Sequence, residues 1–234
     1  MPYKFNTVPF FTIKESSSGP IDIIDHGDRF ALYNNGDKWM AYQKGTDIEI
    51  KEMYSSYDLA YGDVLVSGLG FGILALWLCR KPEVNSVTVV EMSEDVIKLF
   101  KESNECPDKL TIINDNMVTY TTEKYYDVLL LDHYERQTYG WRLKDMGRIC
   151  NRIKHKDFWA WSLESIYLFS MYEDIENKRG FDFDKVVTEH GNDLSTNWVG
   201  FIDKFFPEEK SLKMISSDKI NEYVYHFFNR KSPL

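Results

Sequence analysis

The sequence predicts an α/β protein: a doubly wound, Rossmann-like, mostly parallel sheet preceded by a small N-terminal β-hairpin module. Three observations carry this. Short apolar, β-branched runs alternate with helical stretches from Gly62 onward, and three of those runs end in an acid, at Glu91, Asp115 and Asp132. The first run, Asp63-Val64-Leu65-Val66-Ser67, instead opens into Gly68-Leu69-Gly70-Phe71-Gly72. Ahead of them all, Asn34-Asn35-Gly36-Asp37 is a strong hairpin-turn signal between Arg29–Tyr33 and Lys38–Tyr42.

Taken in order, the N-terminal part to about residue 57 has strand character. Ile21 and Ile23 flank Asp22, and Phe30 and Leu32 flank Ala31, the alternation of half-buried strands. Residues 1–57 are expected to form the hairpin module, and residues 58–234 the ligand-binding domain with an irregular, aromatic-rich C-terminal extension. Residues 48–61 are read as a helix leading into the next strand, and Ile73–Arg80 as a buried helix. Ser86–Glu91 is the second strand of the sheet. Ser93 caps a helix through about Ser103, with Glu94 and Asp95 in its first turn, where the helix dipole favours anions. Leu110–Asp115 and Tyr126–Asp132 are the third and fourth strands. Trp141–Lys154 is expected to be helical and Phe158–Ser162 to be a fifth strand. Beyond Leu163 the pattern weakens: Ile166–Glu176 has helical spacing, Gly180–Pro207 is irregular, and Glu222–Phe228 fits a strand or a helix.

Composition narrows the function classes. The 234 residues suffice for one enlarged domain or a domain with an appendage, and 43% apolar content builds a core, which excludes wholesale disorder. With 28 basic against 37 acidic residues the net charge is −9, which argues against a broad nucleic-acid clamp. Cys79, Cys106 and Cys150 are odd in number and widely spaced, with neither a disulfide framework nor metal-ligand spacing. A reducing, cytoplasmic setting is the expectation. The start lacks a basic segment followed by an apolar one, so no signal peptide is expected. Val64–Cys79 is nearly all apolar, but it is shorter than the roughly 20 residues of a membrane span and is interrupted by glycines.

In an open α/β sheet, ligands bind beyond the carboxyl ends of the strands. Gly68, Gly70 and Gly72 therefore sit where the backbone must turn tightly or approach a ligand, the alternative being close helix packing alone. A dinucleotide fingerprint would need glycine at position 73, which is Ile73, so a nicotinamide cofactor is disfavoured; no phosphate-binding P-loop follows. Glu91 lies 23 positions after Gly68, near the interval at which an acid accepts both ribose hydroxyls. Met92 either lies against an adenine face or simply packs. Asp115 either accepts an adenine amino group or closes an Asx turn. Asp132 ends a strongly apolar strand, where an acid is tolerated at the open edge and can position an amine. His133 is either a general base or a surface histidine.

Gly62–Gly72, Val87–Met92, Asn114-Asp115-Asn116 and Tyr126–Asp132 together resemble class I S-adenosylmethionine-dependent methyltransferases, and among these the spermidine synthase-like branch. The resemblance covers about residues 62–165 and, loosely, 20–60. It implies that Gly68, Gly70 and Gly72 approach the methionine part of S-adenosylmethionine or its decarboxylated form. It further implies that Glu91 binds ribose, that Asp115, with Met92 and Asn116 beside it, serves the adenine, and that Asp132 is the catalytic acid. Spermidine synthases continue with Asp-Ser-x-Asp-Pro; this chain reads Asp132-His133-Tyr134-Glu135-Arg136, so Glu135 stands in for the second acid and the Ser and Pro are missing. His133, Tyr134 and Glu135 are the candidate substrate-binding residues. The expected activity is methyl transfer to a small or cationic acceptor, with aminopropyl transfer as the alternative and a catalytically inactive cofactor-binding protein as a third reading. The resemblance also implies a homodimer. No metal and no membrane partner are expected.

Overall fold

The structure is a computed structural model, and it describes residues 10–46, 50, 53–133 and 142–161. Contact density divides the chain into two units, Met1–Glu135 with Ile153–Trp161, and Arg136–Arg152 with Ser162–Leu234. Both sheets lie in the first unit. The expectations for Ile166–Glu176, Gly180–Pro207 and Glu222–Phe228 lie outside the described residues.

The N-terminal hairpin module is a four-stranded antiparallel meander: β1 (Ser16–Ser18), β2 (Ile21–Asp25), β3 (Arg29–Asn34) and β4 (Asp37–Gln43), in that order. The β3–β4 turn falls at Asn35-Gly36, with φ of 50° and 82°. Positive φ at both central residues is the type I′ geometry that matches strand twist, and Asn-Gly is its preferred pair. Alternation is kept in β2, where Ile21 and Ile23 are buried. It fails in β3, where neighbouring Ala31 and Leu32 are both buried. Strand β4 carries a bulge: Leu32 pairs with Met40 and Tyr33 with Lys38, leaving Trp39 as the extra residue.

Helix α1 (Tyr54–Leu59) leads into the second sheet, inside the range 48–61 expected to be helical; Ile50 is helical as well, and residues 48, 49, 51 and 52 lie outside the described residues. Its carboxyl end is held by Lys81, whose Nζ donates to the carbonyls of Tyr57 and Asp58 at 2.6 and 2.8 Å. Tyr57 stacks on Trp77 with ring centres 3.9 Å apart, which docks α1 on the next helix.

The second sheet has β5 (Gly62–Ser67), β6 (Val84–Glu91), β7 (Leu110–Asn114), β8 (Tyr126–Leu131) and β9 (His155–Ala160), in the order β7-β6-β5-β8-β9. All four pairings are parallel. Helices α2 (Ile73–Cys79) and α3 (Glu94–Ser103) follow β5 and β6. Residues 115–125, after β7, form turns and extended chain without a helix. The fifth strand starts three residues before its sequence expectation, because His155 already pairs with Tyr126. In the second unit, α4 (Arg142–Arg152) lies within the Trp141–Lys154 prediction.

Burial explains the composition of the central strands. Val64, Leu65 and Val66 of β5 and Val128 to Leu131 of β8 are buried to within 1% of completely, the apolar run of a strand covered on both faces. Every residue of α2 is buried, so the run that imitates a membrane span is core. No helix among the described residues is long and apolar enough to cross a membrane. Ile21, Ile23 and Leu32 of the first sheet belong to the same core as β5, β6, α2 and α3.

Candidate active site

Register aligns the carboxyl ends of the strands. Ser67 pairs with both Val90 and Leu131, Glu91 with Asn114, and Leu131 with Ala160. The chain winds one way from β5 through β7 and the other way through β8 and β9, so the switch point lies between β5 and β8. A cavity of about 360 Å3 opens at this edge, within the lower part of the usual ligand-pocket range.

The glycine turn forms its floor. Gly68 has φ +89°, and a Cβ there would come within 2.5 Å of the Asp132 carbonyl oxygen. Only glycine lets the end of β8 cross the turn this closely. A Cβ on Gly70 would meet Met40 Sδ at 2.6 Å, so the turn packs directly under β4. Gly68 and Gly70 line the cavity. Gly72 is not part of its lining; it is the left-handed N-cap of α2 and lies against the Phe100 ring.

Glu91 is 6% exposed and lies on the cavity wall. Its Oε2 accepts from the Leu69 N–H and its Oε1 from the Ser93 N–H, both at 2.8 Å. Each carboxylate oxygen has two acceptor sites, so each keeps one after these bonds. The two backbone donors also supply what a buried carboxylate requires. These two remaining acceptor sites fit the vicinal hydroxyls of a ribose, and the apolar lining beside them (Leu69, Met92, Met117) fits a planar base.

At the end of β7, Asn114 Nδ2 donates to the carbonyls of Glu91 and Met92, tying the two strand ends together. Asp115 is exposed and outside the cavity lining; its Oδ1 accepts from the Asn116 N–H at 2.7 Å. Asn116 lines the cavity and closes an Asx turn, accepting from the Val118 N–H at 2.9 Å. Met92, on the wall, is 67% exposed.

Asp132 and His133 line the opposite side, where the Asp132 N–H donates to the Ser67 carbonyl at 3.0 Å. His133 is half-buried rather than a surface group, and its Nδ1 is hydrogen-bonded to the Ser67 hydroxyl. Tyr134 and Glu135 lie outside the described residues. Several wall residues carried no sequence signal as site residues: Ser67, Met117, Met53, and Trp39-Met40-Ala41 from β4. Trp161, an aromatic of the fifth-strand run, also lines the cavity. Among the described residues, no group of three or more His, Cys, Asp or Glu side chains could hold a metal ion.

No protein-family model matches the chain, and no curated protein matches it in sequence. Solved structures with which it shares a likeness are S-adenosylmethionine-dependent methyltransferases and spermidine synthases. The CcbJ methyltransferase of Streptomyces caelestis is 18% identical over 49% of this chain and 48% of that one, with a TM-score of 0.39. The spermidine synthase of Thermotoga maritima is 15% identical over 69% of this chain and 63% of that one, with a TM-score of 0.45. A spermidine synthase in complex with the transition-state analogue AdoDATO is 13% identical over 62% and 53%, with a TM-score of 0.43. The matched part of the chain thus spans from about half to just under two thirds of these proteins' lengths.

Proposed function

We propose that the protein is a methyltransferase that uses S-adenosylmethionine and acts on a small acceptor. The observation that carries this reading is Glu91: a buried carboxylate on the cavity wall, held by two backbone N–H groups, with one acceptor site left on each oxygen. Glu91 takes the ribose hydroxyls, Met92 and Met117 flank the base, and the Gly68–Gly70 turn admits the methionine part. When bound, S-adenosylmethionine supplies a sulfonium carbon whose bond to sulfur breaks with the electron pair going to sulfur.

The chain's contribution is then positioning, water exclusion and handling one proton. Asp132 orients the acceptor at the β5–β8 switch point and takes the proton that an amine loses as its nitrogen bonds to carbon. The apolar wall keeps water from the electrophilic carbon.

Calorimetric titration with S-adenosylmethionine tests the reading. The wild-type protein should bind, and Glu91→Ala should weaken binding by about tenfold or more, the worth of losing hydrogen bonds to a charged group. Absence of binding by the wild type would overturn the assignment. The alternative is aminopropyl transfer from the decarboxylated form, which Glu91 and the Gly68–Gly70 turn would hold in the same way. Tighter binding of the decarboxylated form would put that reading first.

A further inference from the structure

Asp115 and Asn116, neighbours after β7, take different roles. Both are exposed, but Asn116 lines the cavity and Asp115 does not. The Asp115 carboxylate is turned onto the Asn116 N–H, which it accepts at 2.7 Å. That one bond engages both an acid that could accept from a base and a backbone donor beside it. The loop itself is tied to the strand end that carries Glu91. The Asp115 N–H donates to the Glu91 carbonyl at 3.1 Å, and Asn114 Nδ2 donates to the carbonyls of Glu91 and Met92 at 3.1 and 3.2 Å. Asn116 is thereby held on the same stretch of wall as Met92 and Met117.

The orientation of the Asn116 amide follows from its own turn. Its side chain accepts from the Val118 N–H at 2.9 Å. A backbone N–H needs an oxygen as partner, so that end of the amide is Oδ1. The other end is Nδ2, which donates and cannot accept. Asp115 would offer a base the opposite chemistry. Adenine carries both kinds of partner: its exocyclic amino group donates, and its ring nitrogens accept. An acid reads the amino group, whereas an amide nitrogen reads a ring nitrogen.

Resting on the S-adenosylmethionine reading of this cavity, we infer that Asn116 reads the base by donating from Nδ2 to a ring nitrogen, and that Asp115 takes no part. Asn116 is then a specificity-determining residue, and the exocyclic amino group is not what the site selects. A purine that carries a carbonyl oxygen in place of that amino group offers the same donor a further acceptor and is accepted too.

The test is calorimetry on the full chain with S-adenosylhomocysteine and S-inosylhomocysteine, in which a carbonyl oxygen replaces the amino group. The wild-type protein should bind the two within about fivefold of each other, whereas a site that accepts from the amino group loses more than that with the inosine form. Asp115→Ala should change S-adenosylhomocysteine affinity by less than about fivefold. Asn116→Asp keeps the oxygen that closes the turn on Val118 and removes only the donor, so it should weaken binding by about fivefold or more. A larger preference of the wild type for the adenine form, a larger loss in Asp115→Ala, or a smaller loss in Asn116→Asp would each overturn the inference. The wild-type comparison holds whether or not either variant folds. Failure of the wild type to bind both compounds overturns the S-adenosylmethionine reading itself, whereas binding with the wrong preference overturns the role of Asn116 alone.

Discussion

Gly68 shows how much one residue can constrain. Its φ of +89° strains any L-residue, and its missing Cβ is the space through which the Asp132 carbonyl passes. Gly68→Ala should therefore cost about 2 kcal/mol or more of stability and part the ends of β5 and β8. Chemical denaturation checks the first effect; a variant as stable as wild type would show that the crossing is not tight. Gly70→Ala acts differently, because its neighbour is the flexible end of Met40, which can shift. The sequence pattern places all three glycines at one strand end but does not separate their roles. Only the packing assigns Gly68 to the strand crossing, Gly70 to the β4 contact and Gly72 to the Phe100 ring. Asp115 is a similar case: its position in the pattern matches that of Glu91, yet Glu91 is enclosed by two backbone donors and Asp115 is exposed.

Elements were legible where local chemistry decides them. Ser93 accepts from the Val96 N–H at 3.2 Å as the N-cap of α3, as its position before Glu94 and Asp95 predicts. Ser93→Ala should cost about 1 kcal/mol and lower the melting temperature by about 2–4 °C in a thermal scan. Its Oγ does not line the cavity, but its N–H holds Glu91, so the backbone contact survives the substitution and ligand affinity should fall little. The Asn35-Gly36 turn was equally readable. The bulge at Trp39 was not, because nothing in Asp37–Gln43 marks the register slip; it follows from pairing with β3 while β4 packs over Gly70. The same holds for the early start of β9, which is set by its neighbour β8 rather than by its own apolar residues.

At the scale of the whole molecule, burial sets what the titratable groups can do. Burial pushes the Cys79 thiol up to about 11, while Cys106 is exposed. At pH 8 a thiol reagent should modify Cys106 readily and Cys79 only as the domain unfolds. Labelling of Cys79 that is as fast as that of Cys106 would contradict the buried α2. Burial also holds the His155 imidazole below its ordinary value, and its bond to the Ile153 carbonyl at 2.8 Å and the Asp157 charge offset this only in part. A depressed folded-state pKa means that the unfolded chain binds the proton more readily. The stabilisation from this group is complete above the ordinary histidine value and is lost as pH falls from there through the lower folded-state value. His155→Gln should flatten the decline in melting temperature as pH falls below about 6.5; an unchanged slope would show that His155 does not contribute to it.

By itself the sequence determined the parallel sheet, the edge at which the cavity opens and the acids at the strand ends there. Strand periodicity, turn residues and caps are local, and a strand's end follows from where its apolar run stops. The tertiary structure alone decided that the N-terminal sheet shares one core with the parallel sheet. It also decided that β4 closes over the glycine turn, and that Glu91 and Asp132, but not Asp115, share one cavity. The physical reason is that these are contacts between residues far apart in the chain. They arise from register and close packing, which no window of neighbouring residues encodes.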